Sequence, residues 1–165
     1  MATILVGAST REVRDERERI ARDAASAVQA VAVGGVVPGG GASELAAARA
    51  VQALREGMRG MAAYGADCVV EALKAPLMQI VANAGFNPLE KVEDASAAQA
   101  AQECPALAID CDTGEVADML RAGVVDPLLV KRQALRTAFE VARAVLRIDT
   151  IIKKRPEAGV SDGAG

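Results

Sequence analysis

Glycine and proline cut this chain into pieces of helical length, and the position of the cuts constrains the fold more than any other feature. The breaks are Gly34-Gly35, the triplet Gly39-Gly40-Gly41, Gly85, Asn87-Pro88 and Asp126-Pro127. Glycine takes positive φ without a Cβ penalty, and proline disrupts a helix from within. Between the breaks, apolar residues recur at helical spacing. Val13, Ile20, Ala24, Ala27, Val28 and Val31 follow Ser9 or Thr10 as cap, with Glu12 and Asp15 near the positive end of the helix dipole. They predict a helix over 11–33, stopped by Gly34-Gly35. Ala47, Val51, Leu54 and Met58 line a second helix over about 43–57. Val69, Leu73, Leu77, Ile80 and Val81 line a third over about 62–84, kinked at Pro76 and closed by Gly85. Asn87 as N-cap, Pro88 at the first helical position and Glu90 reaching back start a fourth helix that runs to about Glu103. Asp126-Pro127 repeats the cap-plus-proline signal and starts the last, over about 127–146.

Three short segments read as extended. Residues 3–6 form a strand ended by Gly7; after Pro105, two arms flank a turn at Asp112-Thr113-Gly114-Glu115; Ile148, Ile151 and Ile152 form a last strand. The tail after Pro156 (157–165) is expected to be disordered. The fold expected is mainly α: a helical bundle of about five helices with a small β-hairpin and short terminal strands. Those terminal strands need partners, either each other or another chain. Composition agrees with helices packed closely. Hydrophobic residues make up 52% of the 165, yet only Tyr64, Phe86 and Phe139 are aromatic. The core must therefore be built from Ala, Val, Leu, Ile and Met. The length fits a single domain.

Several classes of function are disfavoured. A net charge of −3 gives no general surface for nucleic acid or an anionic membrane. The absence of histidine removes the commonest metal ligand and the commonest neutral-pH acid/base group. Cys68, Cys104 and Cys111 are odd in number and form no C-x-x-C pair, so neither a disulfide framework nor a metal site is expected. They read as thiols in a reducing cytoplasm. No apolar run reaches the ~20 residues that span a bilayer. The opening "MATILVG" lacks the basic and long apolar regions of a signal peptide.

On their own, the candidate chemical residues leave alternatives open. "VVPGGGASEL" allows close backbone approach to a ligand, and the N–H groups opening the next helix suit an anion. Yet it is neither a Walker A motif nor G-x-G-x-x-G after a strand, and a plain helix–helix joint is the ordinary use of such punctuation. Asp23 sits among alanines, either solvated or paired with Arg19 or Arg22. Asp126 reads as a helix N-cap. Asp110, Asp112 and Asp118 read as turn residues, and "REVRDERER" as a solvated helix face.

The order of these pieces is more specific. "GASTREVRDERERIARDAASAVQAV…GGVVPGGGASELAAA", then "ALKAPLMQIVANAGFNP", then "DCDTGEVADMLRAGVVDPLLVKRQALRTAFEVARAVLRIDTIIKKRP" resembles the C-terminal part of a chaperonin subunit over roughly residues 3–156. "GGGASE" and "LRIDTII" look more like thermosome-type or bacterial group III chaperonins than like GroEL. The resemblance implies that residues 1–33 are a returning intermediate-domain strand and helix, and 34–156 the C-terminal half of an equatorial domain. It implies a part of an ATP-dependent machine that assists protein folding. Gly39, Gly40 and Gly41 would lie against ribose and base, with Gly40 foremost. Asp23, in the "RIARDA" segment, would position the attacking water. Asp126, in "G-V-V-D-P", would contact the ribose, and Asp110 and Cys111 would line the adenine.

The family's Gly-Asp-Gly-Thr phosphate loop, its metal-binding Asp and its apical substrate-binding region have no counterpart in this sequence. ATP or ADP with Mg²⁺ is thus expected in the complete subunit, with this chain alone binding nucleotide weakly or not at all. The leading Met-Ala and the start at a strand favour a piece cut from a longer subunit over a truncated gene product. Expected partners are other chaperonin subunits or the missing N-terminal half, in a homo-oligomer, and unfolded proteins bound through the absent apical region. The competing expectation is a non-enzymatic helical scaffold that works through self-association.

Overall fold

A computed structural model describes residues 3–151. The elements in chain order are α1 (Arg11–Gly34), β1 (Val36–Pro38), α2 (Ala42–Arg55), α3 (Met61–Asn83), α4 (Pro88–Gln102), β2 (Leu107–Ile109), β3 (Val116–Asp118), β4 (Val125–Pro127) and α5 (Leu128–Leu146). The five expected helices and the hairpin are present. The chain divides into two compact units, Met1–Lys131 and Arg132–Gly165.

The core of the first unit is aliphatic. Ala42 and Leu45 of α2, Leu77 and Val81 of α3, Val92 and Ala95 of α4, Ala108 and Ile109 of β2, and Met119 form one buried cluster. Ala48, Val70 and Leu73 form a second between α2 and α3. Phe86 packs only at the edge of the first cluster. Small residues set the facing of the helices. α2 buries Ala42, Leu45 and Ala48; of the expected line, Ala47 and Val51 pack half-buried against the second cluster, while Leu54 is 66% exposed and Met58 is exposed too. α3 buries Leu73, Leu77 and Val81 as expected, but Ala63, Ala66 and Val70 replace Val69 on the inner face. An alanine stripe lets two backbones approach closely, so that atoms along the whole stripe gain dispersion contacts. Arg55 adds a two-pronged link across the same pair, with nitrogen–oxygen distances of 2.8 and 3.0 Å to Asp67.

Local signals explain the helix ends. Thr10 accepts from Val13 N–H at 3.4 Å to cap α1, and Gly35 ends it at φ 77°. Phe86 N–H reaches Val81 O and Gly85 N–H reaches Ala82 O, the six-to-one and five-to-two bonds of a Schellman end for α3. Asn87 accepts from Leu89 N–H at 3.1 Å to open α4. Glu90 makes no reciprocal bond among the described residues. Pro76 lies within α3, and the helix continues on both sides of it.

Two expectations about strands are corrected. Residues 3–6 and 148–151 form no strand; Ile152 and the tail over 157–165 lie outside the described residues. Residues 3–6 join no ladder, and Arg17 of α1 instead donates to Gly7 O at 2.7 Å. An isolated strand has no partner for its backbone groups, so side-chain and solvent bonds take over. The second correction is β1 paired antiparallel with β4, Val37 opposite Asp126. A three-residue "VVP" beside glycines carries no strand pattern in the sequence. β2 pairs with β3 as the expected hairpin, Ala108 opposite Ala117.

α1 buries no residue, and Ile20 and Val28 are 54% and 69% exposed. Of its expected inward face, Ala27 and Val31 are half-buried and Val13, Ile20, Ala24 and Val28 are exposed. In the second unit, residues 132–146 of α5 likewise carry no buried side chain.

Candidate functional site

The glycine triplet is built into the fold at three separate contacts. Gly39 donates its N–H to Val124 O at 2.9 Å, which continues the β1–β4 pairing by one rung. Its O accepts from Ala42 N–H at 3.1 Å, closing the turn into α2. A Cβ on Gly39 would lie 3.1 Å from Val124 Cγ1 and 3.2 Å from Asp126 Oδ2. Gly40, at φ 61°, faces the sulfur of Met119. Gly41, at φ 82°, opens α2, and a Cβ there would stand 2.8 Å from Leu77 Cβ and 3.0 Å from Leu77 Cα. So the backbone of α3 rests on Gly41, while Gly39 and Gly40 line a turn facing Val124, Asp126 and Met119. The joint reading of the triplet holds for Gly41; Gly39 sets bare backbone beside the Asp126 carboxylate, and Gly40 sets it against Met119.

Behind the turn, the Gln99 side chain ties three elements together. Its Nε2 lies 3.1 Å from Ala42 O, 2.8 Å from Leu107 O and 3.3 Å from Pro105 O. Gln99 is fully buried, and its Oε1 has no partner among the described residues. The reverse orientation would set Oε1 against three carbonyl acceptors, so electrostatics select the amide as placed.

Asp126 does not cap α5. It lies on β4, and the first N–H of α5, that of Leu128, donates to Gly35 O at 3.1 Å. The ladder supplies the acceptor that a capping side chain would otherwise provide. This frees the Asp126 carboxylate, which pairs through Oδ2 with Lys131 Nζ at 2.9 Å. Lys131 also hydrogen-bonds Glu44 Oε1, and Ser43 Oγ donates to Glu44 Oε2 at 3.0 Å. Glu44 is buried at the first turn of α2, where the helix dipole favours a negative charge. Burial alone would lower the Lys131 pKa, but the hydrogen bonds and charges of Glu44 and Asp126 outweigh it, and it is held above the ordinary lysine value. Glu44 and Lys131 escaped the sequence reading. The only trace of Glu44 is an acidic residue opening an alanine-rich helix; Lys131 carries no signal, because β4 and the turn bring it to Glu44 from 87 residues away.

The remaining predicted residues stand apart from this turn. Asp23 is exposed on α1 and pairs with Arg19 at 3.5 Å, one of the two partners expected. It lies 11 residues (34 − 23) before the end of α1, roughly 16 Å along the axis at the usual rise. Asp110 and Cys111 begin the β2–β3 turn. Asp110 accepts from Asp112 N–H at 2.8 Å, and Cys111 is exposed. That turn packs Gly114 on Phe86, past the end of α3. Gly41 meets α3 at Leu77, six residues (83 − 77) before that end, about 9 Å along the axis. Asp118 does serve as a turn residue, accepting from Leu120 N–H at 2.9 Å. Among the described residues, no group of three Cys, Asp or Glu side chains is placed to hold a metal ion, and no helix is long and apolar enough to cross a membrane.

Comparison with known proteins places this arrangement in context. The family model described as "TCP-1/cpn60 chaperonin family" matches residues 1–156. Chaperonin GroEL 1 of Mycobacterium bovis (strain BCG / Pasteur 1173P2) is 39% identical over 158 residues, covering 94% of this chain and 28% of the relative. A crystal structure of a group III chaperonin in the open state superposes with a TM-score of 0.85 at 48% identity, over 91% of this chain and 30% of that one. The open-state monomer of a group II chaperonin from Methanococcoides burtonii gives a TM-score of 0.71 at 29% identity, over 84% of this chain and 35% of that one. The chain thus spans about 28% of the length of the curated relative it matches. By the family match over nearly its whole length, the chain belongs to the TCP-1/cpn60 chaperonin family.

Proposed function

We propose that this chain is part of a chaperonin subunit that uses ATP to assist protein folding, and that it carries the base, ribose and water-positioning side of the nucleotide site. One observation carries the reading. Gly39 brings bare backbone against Asp126, so closely that a Cβ would lie 3.2 Å from Oδ2, and Asp126 Oδ1 has no protein hydrogen bond among the described residues. A cradle without side chains, next to a free carboxylate acceptor, fits a flat base and a hydroxyl donor. Bound Mg-ATP would supply the γ-phosphoryl group and the cation that offsets its charge. In this reading Gly39, Gly40 and Gly41 approach the nucleoside, Asp126 accepts from the ribose, Asp110 and Cys111 border the base, and Asp23 orients water. Asp23 does so across the distance between α1 and the turn, closed in the complete subunit. Residues gripping the phosphates and the metal come from the remainder of that subunit, as do those that hold unfolded proteins. The setting is a cytoplasmic homo-oligomer.

Calorimetry with Mg-ATP tests the division of labour: the 165-residue chain binds weakly or not at all, and micromolar binding with turnover by the chain alone would sink it. In a complete subunit carrying this segment, Asp23→Ala retains ATP binding and loses hydrolysis by about 10²-fold, the scale of a lost positioned base. Unchanged turnover would remove Asp23 from the site.

A second reading, a self-associating helical scaffold without nucleotide chemistry, is favoured by the unburied apolar side chains of α1, among them Val13, Ile20 and Val28. Light scattering that returns a monomer at high concentration would count against it.

A further inference from the structure

Lys131 does more than neutralise a buried carboxylate. Its ammonium has three donors in a compact head. One goes to Glu44 Oε1, and a second to Asp126 Oδ2 at 2.9 Å. The Glu44 side chain is only 9% exposed, so it has little water to turn to and holds the ammonium firmly. The Asp126 side chain is 37% exposed and has freedom that Glu44 lacks. Its backbone is fixed opposite Val37 in the β1–β4 ladder, so only the side-chain torsions remain to be set. The lysine sets them by fastening one oxygen. Without it, two carboxylates would face the same small volume, and the more exposed one would swing toward solvent.

We propose that Lys131 is a positioning residue: by holding Oδ2 of Asp126 against the Gly39 turn it fixes the carboxylate and leaves Oδ1 as the acceptor for a ligand hydroxyl, with Glu44 as the buried anchor of the lysine. This rests on the reading that Asp126 accepts from a ribose. It adds that the acceptor is preorganised by two residues that need not touch the nucleotide. The length and rigidity of the unit matter: β4 supplies the carboxylate, α2 the anchor and the start of α5 the bridge, so three elements must be in place before the acceptor is aimed.

The experiment compares ATP with 2′,3′-dideoxy-ATP, both as magnesium complexes, by calorimetric binding to the assembled chaperonin whose subunits carry this segment. The wild type favours ATP by about tenfold, the lower range for a hydrogen bond to a charged acceptor. Lys131→Met reduces that preference to about twofold, mainly by weakening ATP, and Lys131→Arg restores most of it. Since Lys131→Met leaves Glu44 buried without its partner, Lys131→Met/Glu44→Gln is measured beside it, with thermal melts confirming the folded state. The double variant also loses the preference. If the double variant is folded and keeps tenfold preference while Asp126→Ala abolishes it, Asp126 reads the ribose unaided and the role of Lys131 is overturned. If the wild type itself shows no preference, the ribose reading of Asp126 fails and the proposal fails with it.

Discussion

Replacing Gly41 by alanine tests the central packing claim. Two terms oppose this variant. At φ 82° a Cβ enters left-handed backbone space, where an L-residue costs about 1–2 kcal/mol. The added carbon would also lie 2.8 Å from Leu77 Cβ and 3.0 Å from Leu77 Cα. The second neighbour is backbone within a helix, so relief requires α3 to move away from α2, and overpacking of that kind costs about 1–3 kcal/mol. The loss of unfolded-state freedom returns about 0.4–1 kcal/mol. The sum is a destabilisation of about 3 kcal/mol, which for a domain of this size is a fall in Tm of roughly 6–12 °C. Gly40→Ala is the internal control. Its φ of 61° carries the same backbone term, but its neighbour at 3.1 Å is the sulfur of Met119, a flexible side chain. That variant should lose only about 1 kcal/mol by the backbone term net of the unfolded-state gain. Thermal melts followed by circular dichroism at the helical band read both. A Gly41→Ala melt within ~2 °C of wild type, or equal losses for the two variants, would refute the contact between Gly41 and α3 as the reason for glycine there.

Other expectations follow from the same geometry. Gln99→Leu removes the donor shared by Ala42 O, Pro105 O and Leu107 O and should lower stability by about 2–4 kcal/mol, read as a shifted urea midpoint. Gln99→Glu should lose at least as much, since it replaces a donor by an acceptor among carbonyls. Lys131 is raised above its ordinary 10.5 in the folded chain. Its contribution is therefore complete below that value and lost as pH rises through the higher folded one. Melts taken from neutral to strongly alkaline pH should show a late loss that Lys131→Met lacks. Asp67 shifts the opposite way: its hydrogen bond to Arg55 holds it below the usual carboxylate value. That link is present above the ordinary pKa and fades as pH falls through the lower folded one, a dependence that Asp67→Asn should abolish.

The helices are written in the order of residues alone. Gly34-Gly35, Gly85 and Asn87-Pro88 act through backbone torsion and local capping, interactions confined to a few neighbours, so the ends of α1, α3 and α4 are legible in the residues that make them. The hairpin is legible for the same reason: Asp110 and Gly114 close its turn locally. The family is legible as well, because motif order survives without knowledge of contacts. Which way each helix faces, and what Asp126 does, emerge only from the folded chain. Ala48 rather than Leu54 is buried because α3 approaches that side of α2, and an alanine stripe and a leucine line look alike in a one-dimensional pattern. Asp126-Pro127 has the local signature of a cap, yet pairing of β1 with β4 supplies the acceptor from Gly35 and releases the carboxylate to Lys131. The network Glu44–Lys131–Asp126 joins residues up to 87 apart. Electrostatic pairing acts through space, and no spacing rule along a chain encodes it. The glycine triplet shows both kinds of determination at once: the positive φ of Gly40 and Gly41 is written in the residues, while the division into a helix contact at Gly41 and a turn against Val124, Asp126 and Met119 at Gly39 and Gly40 comes from the elements that surround it.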